Sequence, residues 1–173
     1  IASNRAASTL SGGIEANPSP GGQCFLADST IVSNRSGASG GGIYTRSSGH
    51  TFVTNCVIMY NTTASDYGGG MRFDCNGEVS GCLIAENRAV SGGGGLSLQS
   101  ASDAAIVKNT TVASNSIGAG GSGGGVYIAS GSPSTILNSI IYANSPGTTY
   151  TTRSNFYFGG AGITFTNCCI APL

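Results

Sequence analysis

The amino-acid sequence predicts an all-β chain: a right-handed parallel β-helix, or β-solenoid, of about six coils of 26–30 residues with three short strands per coil. Three observations predict it. An apolar-x-x-Asn motif recurs as IASN from Ile1, IVSN from Ile31, IMYN from Ile58, IAEN from Ile84, VASN from Val112 and IYAN from Ile141. A glycine pair closed by an apolar residue follows each of the first five, at Gly12-Gly13-Ile14, Gly41-Gly42-Ile43, Gly69-Gly70-Met71, Gly94-Gly95-Leu96 and Gly124-Gly125-Val126. Motif starts at 1, 31, 58, 84, 112, 141 and 170 are spaced by 30, 27, 26, 28, 29 and 29 residues. Self-similarity at such a period marks stacked repeats, so residues 1–173 read as one solenoid domain.

Along each coil, the first strand ends at a corner such as Thr54-Asn55-Cys56-Val57 or Ser80-Gly81-Cys82-Leu83. Alternation points Val53, Cys56 and Ile58 inward, with a bend at Asn55 resetting the phase. Val79, Cys82 and Ile84 repeat this in the next coil, and Val107, Thr110 and Val112 in the one after. On the third strand Met71 and Phe73, Leu96 and Leu98, and Val126 and Ile128 face the core. At the usual strand spacing, six coils make a rod of roughly 29 Å.

The second corner carries a ladder of Asn4, Asn34, Asn61, Asn87, Asn115 and Asn144. Stacked carboxamides hydrogen-bond one another along such a column, and asparagine is expected to take the left-handed conformation there. Gly13, Gly42, Gly70, Gly95 and Gly125 supply the third corner, where backbones approach closely. Between asparagine and glycine the segments vary, as in 35–39 and 116–122, so they read as loops on one face. The sixth unit departs from the pattern, offering Asn155-Phe156-Tyr157-Phe158 and a later Gly159-Gly160.

Composition excludes several classes. There are 29 glycines and only 8% charged residues, yet 39% are hydrophobic, which argues against a charged disordered chain. Seven basic and seven acidic residues cancel, and the basic ones are scattered singly, so nucleic acid is excluded as a partner. No apolar run approaches the roughly 18 residues of a membrane span. The chain opens on Ile1-Ala2-Ser3-Asn4 without an initiator Met or signal pattern, which reads as a processed or incomplete chain. Six cysteines with no CxxC pair, and one histidine, His50, offer no metal-ligand spacing, so no metal or cofactor is expected. An even cysteine number suits disulfides, and buried free thiols equally. Cys56 and Cys82 fall at the same place on adjacent coils; side chains in register point in parallel, which favours stacked thiols over a bridge.

The GGGI, GGGM, GGGL and GGGV runs with repeated I-x-x-N resemble the paired GGA[I/L/V] and F-x-x-N repeats of chlamydial polymorphic outer-membrane proteins, autotransporter-like adhesins with β-helical passengers. Here Gly replaces Ala and Ile or Val replaces Phe. The closing stretch, from Ser139-Ile140-Ile141 through Cys168-Cys169-Ile170, is similar to large bacterial right-handed β-helix repeat proteins of the cell surface. The resemblance covers nearly the whole chain and implies fold more than activity.

Some β-helices cleave polysaccharides, and that chemistry needs clustered carboxylates. The acids are Glu15, Asp28, Asp66, Asp74, Glu78, Glu86 and Asp103; only Asp74, Glu78 and Arg72 form a local group, with Asp74 and Glu78 flanking a turn at Cys75-Asn76-Gly77. Turn preference explains that group without catalysis. His50 sits in a Ser-Ser-Gly-His turn, no G-x-S-x-G elbow is present, and no GK[ST] follows the glycine runs, so no catalytic residue is assigned. Two of the three sequons, at Asn34 and Asn61, use ladder asparagines and are expected to be buried; the third is at Asn109. Tyr44 and Tyr127 point outward singly.

The expected role is an extracellular or cell-surface structural solenoid, a fibre subunit or adhesin-like passenger segment, without catalysis. A polysaccharide-active enzyme or carbohydrate-binding solenoid is the alternative, and an ice-binding face lacks regular threonine ranks. Because both ends are in phase and uncapped, end-to-end self-association or continuation of the chain is expected, with glycans the other partner class.

Overall fold

A computed structural model describes residues 1–7, 10–99, 104–145, 154–160 and 162–170. The chain is a right-handed parallel β-helix, and every strand pairing is parallel to the equivalent strand one coil away. Three sheets result among the described residues. One stacks six three-residue or shorter strands: Thr30–Val32, Val57–Met59, Leu83–Ala85, Thr111–Ala113, Ile140–Tyr142 and Cys169–Ile170. A second stacks five two-residue strands after the ladder asparagines: Arg5–Ala6, Arg35–Ser36, Thr62–Thr63, Arg88–Ala89 and Ser116–Ile117. The third is the longest. It gathers both the strand after the glycines and the strand before the next corner, which run on as single strands in Ile43–Thr54 and Met71–Ser80.

The second sheet corrects the reading of 35–39 and 116–122 as loop throughout. Their first two residues pair between coils, and Ser36, Ala89 and Ile117 turn inward with at most 1% exposure. Two residues are too few to show a period of two in the sequence. The turn expected at Cys75-Asn76-Gly77 is also absent. These residues lie inside the strand Met71–Ser80, and the irregularity falls on the neighbouring strand between Arg46 and His50. Ladder bonds to two neighbouring strands override the local turn preference of Asn-Gly.

Inward side chains form columns along the axis. Ile31, Ile58, Ile84, Val112 and Ile141 line the first sheet, and Ile43, Met71, Leu96 and Val126 line the third beside Phe73, Leu98 and Ile128. Val53, Val79, Val107 and Ile136 complete the core. All are at most 1% exposed. Each coil therefore buries its apolar face against its neighbours, which is why a single coil cannot stand alone.

The glycine corner has three separate reasons for glycine, seen in Gly68-Gly69-Gly70. Gly68 has φ +72, in the left-handed region. A Cβ on Gly69 would lie 2.3 Å from the backbone of Arg88 in the next coil. A Cβ on Gly70 would lie 2.8 Å from the Asn87 amide.

Asparagine does not take the left-handed conformation in the ladder. The residue before it does: Ser3, Ser33, Tyr60, Glu86, Ser114 and Ala143 have φ between 53° and 57°. The ladder carboxamide must point along the column, so the chain turns one residue earlier. At the other corner the left-handed residue is mostly the expected polar one, namely Asp28, Asn55, Asn109, Asn138 and Asn167, with Gly81 in the remaining coil.

Candidate functional site

The ladder residues come together as one hydrogen-bonded column. The backbone N–H and the Nδ2 of Asn61 both donate to Asn87 Oδ1, at 2.9 and 3.0 Å, and Asn61 Nδ2 also donates to the Ile31 carbonyl at 2.9 Å. Asn4, Asn34, Asn87 and Asn115 repeat the upward bonds to Asn34, Asn61, Asn115 and Asn144. Gly13, Gly42, Gly70, Gly95 and Gly125 each sit under the next coil's amide, where a Cβ would stand 2.6–3.1 Å from its Nδ2. The next rung comes from an unexpected place. Asn144 N–H and Nδ2 donate to Asn155 Oδ1 at 2.8 and 3.0 Å, only 11 residues on. Asn155 precedes Phe156 as Gly125 precedes Val126, so it stands where the other coils have the corner glycine, and its side chain reaches across. The departure of the sixth unit from the glycine pattern marked this residue without revealing its task.

A second column, read from sequence only in the stacked Cys56 and Cys82 and the equivalent Thr110, runs through the first corner. Ser29, Cys56, Cys82, Thr110, Ser139 and Cys168 each follow the left-handed residue and donate to the carbonyl two residues back, at 2.7–3.3 Å. Thr110 and Ser139 also accept the N–H of the equivalent residue one coil earlier, at 3.4 and 3.2 Å. Cys56 and Cys82 are free, buried thiols in this column. Burial pushes the Cys82 thiol up to about 11 and raises Cys56 as well. Cys75 is likewise a buried thiol, donating to Thr45 Oγ1 at 3.2 Å. The sign in the sequence was a small donor after each corner residue, Cys in three coils and Ser or Thr in the others.

Chemistry-bearing groups gather on the outer face of the long sheet. Glu15, Tyr44, Arg72, Ser97, Tyr127 and Tyr157 occupy one outward row in register. Arg72 Nε meets Asp74 Oδ2 and its Nη1 meets Asp66 Oδ2, both at 2.7 Å. Nη1 also donates to Ser39 Oγ at 2.8 Å, and the Ser39 hydroxyl donates to the same Asp66 oxygen. Tyr44 Oη donates to Asp74 Oδ2 at 3.2 Å, and the guanidinium lies 5.4 Å from the Tyr44 ring centre. The Asp66 carbonyl accepts from Thr63 Oγ1 at 3.0 Å and from the Val90 and Ser91 N–H groups at 3.3 Å. Arg72 thus ties the segment around Asp66 to the sheet.

Burial raises the Asp74 carboxyl above its ordinary value, only partly offset by Arg72 and Tyr44. Burial lowers Arg72, but the attraction of Asp74, with Tyr44 and Asp66 behind it, outweighs that and leaves it firmly charged. Asp74 Oδ1 is buried without a hydrogen-bond partner among the described residues. Glu78, grouped with Asp74 and Arg72 in sequence, stands apart. It pairs with Lys108 at 2.8 Å and lines a shallow depression of about 260 Å³ with His50, Phe52, Asn76 and Ile106. Glu15 pairs with Arg46 at 2.7 Å. Glu86 is an exposed corner residue, and Asp103 lies outside the described residues. Among the described residues, no three His, Cys, Asp or Glu side chains are placed to hold a metal ion, and no helix is long and apolar enough to cross a membrane.

A family model described as "right handed beta helix region" matches residues 1–170. Searches of curated proteins and of solved structures return no match.

Proposed function

Since the chain belongs to the right-handed β-helix family, we propose that it is a non-catalytic extracellular solenoid, a structural or adhesin-like segment of a bacterial surface protein or fibre. The observation that carries this reading is the closure of the charge cluster. A carbohydrate-cleaving pair needs one carboxyl to protonate and another to attack or activate water. Here Asp66 and Asp74 share one guanidinium, and Glu15 and Glu78 each hold a basic partner. The arrangement fits a clasp that fastens a loop to the sheet. In the surface-repeat resemblance, end-to-end association or further coils would extend the same three sheets.

Two experiments test this. Incubation with a panel of polysaccharides is expected to release no reducing ends or unsaturated products. Release that disappears in Asp74→Asn would replace the proposal with a polysaccharide-active enzyme, the second reading, which the raised and partly unpartnered Asp74 favours. Electron microscopy of the purified chain tests the fibre version, which a monodisperse monomer at high concentration would sink.

A further inference from the structure

Tyr127, a single outward tyrosine in sequence, has two tyrosine neighbours. Tyr67 and Tyr127 have ring centres 4.7 Å apart at 43°, and Tyr127 and Tyr157 are 5.2 Å apart at 16°. The second pair is a simple stack on adjacent strands, Val126–Ile128 and Phe156–Phe158. The first pair is not, because a whole coil lies between its members. That coil contributes Gly92, which bridges to Tyr67 on one side and Ser122 on the other. A Cβ at 92 would stand 2.8 Å from Tyr127 Cδ2 and 3.0 Å from Tyr67 Cδ1. The missing side chain leaves the gap over which two rings from non-adjacent coils close.

Burial, with the Tyr67 phenol beside it, pushes Tyr127 up to about 12. The 4.7 Å between the ring centres is close to the separation of two directly joined aromatic rings. Both side chains remain partly exposed, within reach of a small oxidant.

We propose that Tyr67 and Tyr127 form an oxidative cross-linking site, joined as dityrosine by a one-electron oxidant such as a haem peroxidase with hydrogen peroxide. The oxidant takes one electron and the phenolic proton from each ring. The two radicals pair to form a carbon–carbon bond between positions ortho to the hydroxyls. Each ortho hydrogen then moves to its phenol oxygen as the rings regain aromaticity. The sum is the loss of two hydrogen atoms from the chain and reduction of one peroxide to two waters. The bond would staple three coils together, a role independent of whether the solenoid is catalytic.

The test treats dilute protein with peroxidase and limiting peroxide, then reads dityrosine fluorescence, intact mass and cross-linked peptides. The expected product is a monomer lighter by two hydrogens, with Tyr67 joined to Tyr127. Tyr67→Phe and Tyr127→Phe each abolish it, Gly92→Ala lowers its yield by parting the rings, and Tyr142→Phe leaves it unchanged. Tyr60 and Tyr142 are the discriminating control, being 55% and 48% exposed and absent from the ring pairs of the described residues. Coupling through them, coupling only between molecules, or an undiminished yield in Tyr67→Phe would overturn the proposal. Far-ultraviolet circular dichroism of each variant separates a lost contact from a lost fold.

Discussion

Asn87 accepts two bonds from Asn61, donates its own N–H and Nδ2 to Asn115, and sends Nδ2 to the Ile58 carbonyl at 2.8 Å, all out of water. Removing the carboxamide takes the acceptor from the Asn61 N–H and Nδ2, and the Nδ2 donor from the Ile58 carbonyl and Asn115 Oδ1. Asn87→Ala is therefore expected to cost about 2–4 kcal/mol, since each buried unsatisfied group costs about 1–3 kcal/mol. Asn76, half-buried within the strand Met71–Ser80 with Oδ1 accepting from Ala104 N–H, serves as the comparison, and Asn76→Ala should cost about 0.5–1.5 kcal/mol. Urea unfolding followed by circular dichroism measures both, and equal costs would refute the ladder's role. Tyr60 presents the opposite case: a bulky exposed residue at φ 56. Tyr60→Asn should stabilise the fold by about 1 kcal/mol, because asparagine tolerates the left-handed region where a larger side chain does not. Calorimetry would show the higher melting temperature. The recurrence of Ile-x-x-Asn made the rungs legible. That the turn is taken one residue earlier was not, because Ser, Tyr, Glu and Ala share no property that announces it.

Among elements, the long sheet departs most from its local sequence. Asp74-Cys75-Asn76-Gly77 has turn chemistry, yet it forms the middle of Met71–Ser80 because the strand Ile43–Thr54 pairs with it on one side and Ala105–Lys108 takes up Gly77 on the other. Pairing partners 26–30 residues away are invisible to a local reading, so the Asp66–Arg72–Asp74 cluster was only half legible: Arg72 and Asp74 lie together in sequence, while Asp66, Ser39 and Tyr44 arrive through the fold. The native Asp74 carboxyl binds its proton more tightly than in the unfolded chain. Between the unfolded and the raised folded value the native state holds more protons, so this residue's contribution to stability falls as pH rises through that window. Subtracting the pH–stability curve of Asp74→Asn from that of the parent isolates the slope, and a difference that grew with pH would contradict it. The corner column makes a separate prediction. Cys82→Ser keeps a donor of the kind Ser139 and Ser29 already supply, and should cost within about 1 kcal/mol, whereas Cys82→Ala empties buried volume and leaves the Ser80 carbonyl only its bond from Asn55 N–H, and should cost about 1–2 kcal/mol. Denaturant midpoints of the two variants compare them directly.

Across the whole molecule, the phase of three motifs sufficed for the solenoid, since stacking coils is the one arrangement that buries every Ile and Val column while accommodating the glycines. The closing of the amide column by Asn155 lay beyond it, because the residue belongs to one corner of the coil and works at another. Asn155→Ala leaves the Asn144 N–H and Nδ2 without their shared acceptor and should lower stability by about 2–3 kcal/mol. Amide hydrogen exchange should quicken at Asn144 while Asn61 stays protected, and unchanged exchange at Asn144 would count against the assignment.

The direction of those amide bonds also gives the rod a temporal order. Every rung donates toward the following coil, so a coil emerging during synthesis carries two unanswered donors until about 26–30 further residues have been made. Each new turn is templated by the one before it and in return completes it. Growth from the amino end therefore proceeds like a zipper whose last tooth is always open, and a chain halted between Asn115 and Asn144 would carry that open tooth at its tip. Asn155 supplies its own closure after 11 residues rather than waiting for another turn.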